Sequence, residues 1–298
     1  MELSTVFSIC FTCCLLLTAS LSAPVPAAET IQELEHRVEE LTNQLHLLEE
    51  NELHDRSRRA ASNVLNENQV PKRSCKEIYD DDNTAADGLY KTAPTDNKGE
   101  FTVYCDMTTS GGGWTIIQRR ENSATDFYRE WQEYKTGFGK MDGNFWLGLE
   151  KIHRITQIEN HKLLVTMVDH DDATFTAEYD LFKVDSAATD YQLDIGTYTS
   201  TGTGAAGDSL SIHDNQKFTT SDKDNDDNTS ENCAVKHHGA WWYKDCHESN
   251  LNGKYYAGDY GDHDGMNPSA VADGIVWFTT TGWWHSLKTI TMAIKPSS

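Results

Sequence analysis

Basic residues are scarce in this chain of 298 residues: 25 Lys and Arg stand against 47 Asp and Glu, a formal net charge of −22. Nucleic-acid and heparin binders need a basic face, so neither partner is expected. An acidic surface suits solubility and divalent cations instead. Long apolar runs are lacking too. The stretch from Val6 to Leu17 is too short to span a bilayer, and no other stretch reads as a span. Small residues follow it at Ala19, Ser20, Ser22 and Ala23, which marks residues 1–23 as a secretory signal peptide cut near Ala23. The basic start of such a peptide is missing, since only Glu2 is charged; an N-terminal membrane anchor is the rival reading. Catalytic signatures are missing as well. Ser, His and Asp are plentiful, but no nucleophile elbow, H-E-x-x-H or phosphate loop occurs, and no enzyme is expected. No C-x-x-C pair is present, which argues against structural zinc.

What is present supports a folded, exported protein. Hydrophobic residues make up 38% of the chain, enough for a real core. Removing Cys10, Cys13 and Cys14 with the signal leaves Cys75, Cys105, Cys233 and Cys246. An even number in an exported chain suggests two disulfides, with three connectivities open. Each bridge would contribute roughly 3–4 kcal/mol on the loop-entropy account.

Within residues 29–53, Ile31, Leu34, Val38, Leu41, Leu45 and Leu48 step by three and four, the seam of a short coiled coil. The seam points to a homo-oligomer through this helix; an amphipathic helix packed on its own globular part is the alternative. Residues 54–74 form a polar linker. It holds Arg56, Arg58 and Arg59 in the Arg-x-Arg-Arg pattern that secretory convertases cut, or else a solvated basic run. Residues 75–298 form one globular region of short apolar runs broken by Gly, Asn, Asp and Thr. Leu163 to Val168 and Thr174 to Tyr179 are predicted strands, and Phe127 to Trp131 and Gly148 to Thr156 short helices. Solenoid periods and collagen triplets are absent, and the fold class is α+β.

The globular region carries FTVYCDM at 101–107, GGGWTIIQRR at 111–120, NFWLGLEKIHRIT at 144–156, SLSIHDNQKFTTSDKDND at 209–226 and NCAVKHHGAWWYKDCHESNLNGKYY at 232–256. These runs closely resemble the fibrinogen C-terminal-like domain of ficolins, tachylectins, angiopoietins, tenascins and the fibrinogen chains. The resemblance covers residues 75–298 and all four remaining cysteines. It implies a central antiparallel sheet, a loop-rich C-terminal subdomain, and the pairing Cys75–Cys105 and Cys233–Cys246. It leaves function open, because sugar-binding lectins, receptor ligands and clot proteins share the fold.

The residues must decide between them. Ser221 to Asn228 places carboxylates at every second residue, the hard oxygens that Ca²⁺ needs. An EF-hand is excluded, because Asp227 stands where its glycine belongs and Cys233 where its bidentate Glu belongs. The resemblance implies side-chain ligands from Asp224 and Asp226 and a carbonyl ligand from Asn228. The fourth ligand is the carbonyl of Ser230 or Glu231, since the loop is one residue longer than in ficolins. Asn228-Thr229-Ser230 is also the one N-glycosylation sequon, placed where a glycan would lie near the pocket.

In lectins of this type the bond corresponding to Asp245–Cys246 is cis and turns the N–H groups of Cys246 and His247 toward one point. Two such donors suit the carbonyl of an acetamido group. Trp241 and Trp242 are expected as buried scaffold. The pocket carries over in part. His247, Ala272 and Trp283 match, whereas His237 and Val271 replace aromatic walls. Ala272 and Trp283 also lack the charges of fibrinogen's knob-accepting hole, so fibrin-like polymerisation is not expected. If His237 lines the pocket, binding should change near pH 6 to 7. His237, His238 and His247 read more simply as hydrogen-bonding groups than as a metal cluster. The sequence supports a secreted, calcium-supported lectin for acetylated glycans in innate immunity, or alternatively a secreted ligand of angiopoietin-like type for a cell-surface protein.

Overall fold

The β-branched and aliphatic run His161–Val168 buries His161, Leu163, Leu164, Val165 and Met167 and forms the strand β6. A strand buried on both faces belongs inside a sheet rather than at its edge. The structure, a computed structural model, describes residues 71–260 and 271–297, with residues 37, 38, 41 and 42 from the N-terminal part. Those four are helical, and the seam residues Val38 and Leu41 are exposed. The signal peptide, the rest of the coiled coil, Arg56, Arg58 and Arg59 lie outside the described residues. The chain divides at Val70 into two units, of which the second carries the fold.

In the second unit β1 (Gly88–Thr92), β2 (Phe101–Asp106), β3 (Trp114–Arg120), β6, β7 (Thr174–Val184), β8 (Leu193–Ile195) and β11 (Thr289–Pro296) form one sheet. Their order is β1-β2-β3-β11-β6-β7-β8, and every pairing is antiparallel. Two short strands, β4 (Phe138–Gly139) and β5 (Phe145–Trp146), extend it beside β3. The C-terminal strand thus sits mid-sheet, between β3 and β6. Helices α1 (Cys75–Asp81), α2 (Trp131–Thr136) and α3 (Leu149–Thr156) complete the α+β body. Between β8 and β11 the described residues hold only short elements, among them α4 (Cys233–Lys236), β9 (Ser249–Asn250), β10 (Val276–Trp277) and α5 (Phe278–Thr281). This is the loop-rich subdomain. The bridges are Cys75–Cys105 and Cys233–Cys246.

One expected helix is displaced. Residues 127–130 are not helical; Tyr128 N–H instead donates to Asp126 in a turn, at 2.9 Å. The helix starts at Trp131, whose N–H donates to Asp222 Oδ1 (2.8 Å) from a distant loop. A local capping box also closes the first turn, Glu130 N–H donating to Glu133 (3.4 Å), and the Asp222 contact adds a tertiary anchor that local sequence does not announce. Helix α3 starts one residue after the expected Gly148. That glycine has φ 108, and a Cβ there would lie 2.7 Å from the Thr136 carbonyl. Only glycine tolerates both demands.

Strand β3 anchors the loop-rich subdomain through two buried polar side chains. Arg120 Nη1 donates to Gly253 O (2.7 Å) and Leu251 O (3.3 Å), with the guanidinium 4.0 Å over the Phe127 ring. Burial lowers its pKa to about 10, so it stays charged at neutral pH. Gln118 Nε2 donates to Leu251 O and Asn252 Oδ1, both at 3.0 Å. Trp241 and Trp242 are fully buried, and Trp242 packs on Trp146, Phe182 and Phe218. Replacing Arg120 with Ala strands the buried Gly253 carbonyl, leaves Leu251 O to Gln118 alone, and opens a cavity. It should destabilise the fold by about 3 kcal/mol, read as a lower urea midpoint. An unchanged midpoint would contradict this anchoring role.

Candidate functional site

The short helix α4 starts at Cys233 because Asn232 caps it, its side chain accepting from Val235 N. Cys233 is bonded to Cys246, which fixes the helix to the turn 245–247. The Asp245–Cys246 bond is cis. Lys244 N–H donates to Cys246 O (2.9 Å), while the N–H groups of Cys246 and His247 find no backbone acceptor among the described residues. A buried or half-buried amide without a partner is unusual, so this donor pair is available to a ligand.

Around the turn, His237 Nδ1 and His247 Nε2 each lie 3.0 Å from the Ala272 carbonyl oxygen. A carbonyl accepts but cannot donate, so each imidazole points an N–H at it. Their rings meet edge to face, centroids 4.4 Å apart. Burial is the main cause that lowers both pKa values, and the neighbouring imidazoles His237 and His213 add to it at His247. Both are therefore neutral near pH 7. His247 Nδ1 is buried without a partner. Trp283 stands against His247 (5.5 Å) and packs on the exposed Phe278 (4.5 Å). Its position is set by Tyr260, whose hydroxyl donates to Trp283 O (2.7 Å) and accepts from Gly274 N (2.9 Å).

A third imidazole holds the segment from behind. His213 Nδ1–H donates to Trp242 O (2.7 Å), and its Nε2 accepts from Glu248 N and Ser249 N, both at 3.3 Å. Burial lowers its pKa to about 4. Asn250 ties His237 O (3.1 Å) to Gly274 O (3.3 Å) and accepts from Tyr243 OH (2.6 Å).

The acidic loop sits on the other side of the bridge. Asp226 Oδ1 accepts from Asn228 N (3.0 Å) and Oδ2 from Cys233 N (3.0 Å). Burial raises its carboxyl to about 6, and the adjacent Asp224 adds to the rise. Among the described residues, no backbone N–H donates to the carbonyls of Asn228, Ser230 and Glu231. Two carboxylates and such carbonyls fit a hard cation like Ca²⁺. Asp222 is committed elsewhere, to Trp131 N and Thr220 Oγ1. The Asn228 side chain bridges loop and turn: Oδ1 accepts within the loop from Ser230 and Glu231, while Nδ2 donates to Asp245 Oδ1 (2.8 Å) and lies 3.9 Å from Cys246 Sγ.

The expected residues thus fall in two neighbouring groups. His237, Cys246, His247, Ala272 and Trp283 gather at the turn, with half-buried Val271 adjoining Ala272 in the chain. Asp224, Asp226, Asn228, Ser230 and Glu231 gather in the loop. The three histidines do not converge on one point. His238 turns away to Asp273 (3.2 Å) and Tyr128, and no group of three His, Cys, Asp or Glu poised for a metal occurs among the described residues. His213, Asn250 and Tyr260 were not singled out by the sequence. His213 lies inside a quoted motif, but nothing local marks its partner 29 residues away.

The expected change near pH 6 to 7 is corrected downward, because burial lowers rather than raises these imidazole pKa values. The unfolded chain takes up protons first, near pH 6.5. Stability is therefore full above that value and falls as pH drops toward 4. His213 alone, lowered to about 4, accounts for a loss on the order of 3 kcal/mol across this window. Thermal midpoints measured from pH 7.5 to 4 should decline, and less steeply in His213→Asn. Identical slopes for both proteins would refute the assignment.

The profile of the fibrinogen beta and gamma chains, C-terminal globular domain, matches residues 71–297. Fibrinogen C domain-containing protein 1-B of Xenopus laevis is 43% identical over 229 residues, 75% of this chain and 47% of that protein. The match thus spans about half the length of that relative. Fibrinogen-like protein 1 of Rattus norvegicus is 40% identical over 237 residues, 75% of this chain and 71% of that protein. Among solved structures, the fibrinogen-like globe domain of human ANGPTL2 aligns with TM-score 0.70 and 39% identity, covering 76% of this chain and 100% of that one. Lamprey fibrin D-dimer complexed with the peptide Gly-His-Arg-Pro-amide aligns with TM-score 0.69 and 26% identity, covering 99% and 95%. Proteins of this family recognise or signal and are not enzymes. Through residues 71–297, with both bridges and the cis turn in place, the chain belongs to the fibrinogen C-terminal domain family.

Proposed function

We propose that this protein is a secreted, calcium-supported recognition protein that binds acetylated glycans at the 245–247 turn. The observation that carries the reading is the pair of unpartnered N–H groups at Cys246 and His247, beside the Trp283 ring. A ligand carbonyl accepts both, and the acetyl methyl packs on the aromatic face. Ca²⁺ would be held by Asp224, Asp226 and the carbonyls of Asn228 and Ser230 or Glu231. Its charge would offset the burial, and the smaller repulsion from Asp224, that raise the Asp226 pKa. Self-association through residues 31–48 would multiply weak single sites into useful avidity.

A second reading is a ligand for a cell-surface protein. His237 and Val271 stand where aromatic walls are expected, and the relatives include ANGPTL globe domains and a fibrin that carries a peptide. A peptide carbonyl offers the same acceptor as an acetamido group.

Capture on immobilised N-acetylglucosamine decides between them. Retention in calcium, loss in EDTA and release by free acetate support the glycan reading. Trp283→Ala should weaken capture by up to about tenfold, the worth of one stacked aromatic. No capture by folded protein would shift the reading to a protein partner. Independently, calcium at a hundred times its dissociation constant should stabilise the protein by about 2.7 kcal/mol, and Asp224→Asn should remove that gain. An unchanged melting temperature in calcium would remove the metal from the account.

A further inference from the structure

Asn228-Thr229-Ser230 is the only N-x-Ser/Thr sequon of the chain. Calcium chemistry in the loop calls on the Asn228 backbone carbonyl and leaves the side chain free for another task. That side chain spans the gap between the loop and the turn. Its Oδ1 accepts from Ser230 N (2.9 Å), Ser230 Oγ (2.7 Å) and Glu231 N (3.2 Å), which close the loop on itself. Its Nδ2 donates to Asp245 Oδ1 (2.8 Å) and sits 3.9 Å from Cys246 Sγ. Thr229, Ser230 and Asp245 are exposed, so the nitrogen lies at the protein surface rather than under it.

We propose that Asn228 is an N-glycosylation site whose glycan is rooted against the Asp245–Cys246–His247 turn and covers it, so that occupancy of this one sequon sets the fraction of chains with an open site. The inference rests on the reading above that the turn is the recognition site. The co-reactant is a lipid-linked oligosaccharide diphosphate of the secretory lumen. The Asn228 nitrogen forms a bond to the anomeric carbon as that carbon's bond to the diphosphate oxygen breaks. The nitrogen gives up one proton and keeps the other. The remaining N–H still serves Asp245, and the three hydrogen bonds accepted by Oδ1 are unaffected, so the modified side chain keeps the loop closed. The sugar then starts one residue away from the two free N–H donors, with His247 and Trp283 beyond them. A branched glycan rooted there limits access by a competing glycan or protein surface.

The test uses the full chain secreted from cultured animal cells. The peptide containing Asn228 is weighed before and after peptide N-glycosidase in heavy-oxygen water, which marks a formerly glycosylated Asn as labelled Asp. Hydroxyl-radical oxidation of Trp283 and the exposed Phe278 is then compared between the native protein, Ser230→Ala, which removes the sequon, and Thr229→Ala, which keeps it. Trimming the native protein to a single N-acetylglucosamine with an endoglycosidase gives the same contrast without any substitution. The proposal expects a glycan on Asn228 and several-fold higher oxidation of Trp283 in Ser230→Ala and in the trimmed protein, with Thr229→Ala like the native form. An unmodified Asn228, or oxidation that ignores the glycan, overturns it. Capture on immobilised N-acetylglucosamine should rise with oxidation. If oxidation rises while no form is captured, the cover stands and the glycan-binding reading falls.

Discussion

One backbone carbonyl, that of Ala272, gathers the site. It accepts an N–H from His237, which ends helix α4, and from His247, which follows the bridge cysteine. Three stretches distant in sequence therefore converge on a single oxygen. The arrangement holds only while both imidazoles are neutral, because two charged rings with centroids 4.4 Å apart would repel in a poorly solvated place. Burial supplies the condition by lowering both pKa values. The aromatic and histidine content of the region is thus mostly scaffold, and the recognition chemistry is left to the backbone.

Support for that oxygen is layered. Behind the turn, His213 gathers Trp242 O and the amides of Glu248 and Ser249. Deeper still, Arg120 and Gln118 reach from the central sheet to the carbonyls of residues 251 and 253. Regular structure is sparse in this subdomain, so buried polar side chains take over the work that ladders do elsewhere. Toward the acidic loop, the Cys233–Cys246 bridge and the Asn228–Asp245 hydrogen bond link loop and turn. A cation in the loop or a sugar on Asn228, as proposed, would therefore act directly on the turn.

Much of this was legible in the sequence because it rests on residue identity. The runs at 101–120 and 232–256 identified the family, and with it the sheet, both bridges and the cis turn. The apolar texture of Leu163 to Val168 and Thr174 to Tyr179 identified two strands correctly. What escaped depends on partners far away in the chain. The helix expected at Phe127 to Trp131 begins only at Trp131, where a Glu130–Glu133 capping box closes the first turn and Asp222 reaches the Trp131 N–H from 91 residues further on. The pH response was placed too high, because an isolated histidine titrates near 6.5 and the burial of these ones is a property of the fold. Tyr260 and His213 look like ordinary loop residues until their partners are known.

Histidine-selective ¹⁵N NMR of the full chain, followed from pH 7.5 to 4.5, tests this arrangement most directly. The nitrogen shifts report both the tautomer and the charge of each ring. The account predicts that His237 carries its proton on Nδ1 and His247 on Nε2, and that both stay neutral below pH 6.5, His247 well below it. The opposite tautomer on either ring, or titration at or above 6.5, would contradict the convergence on Ala272 from which the rest of the site is built.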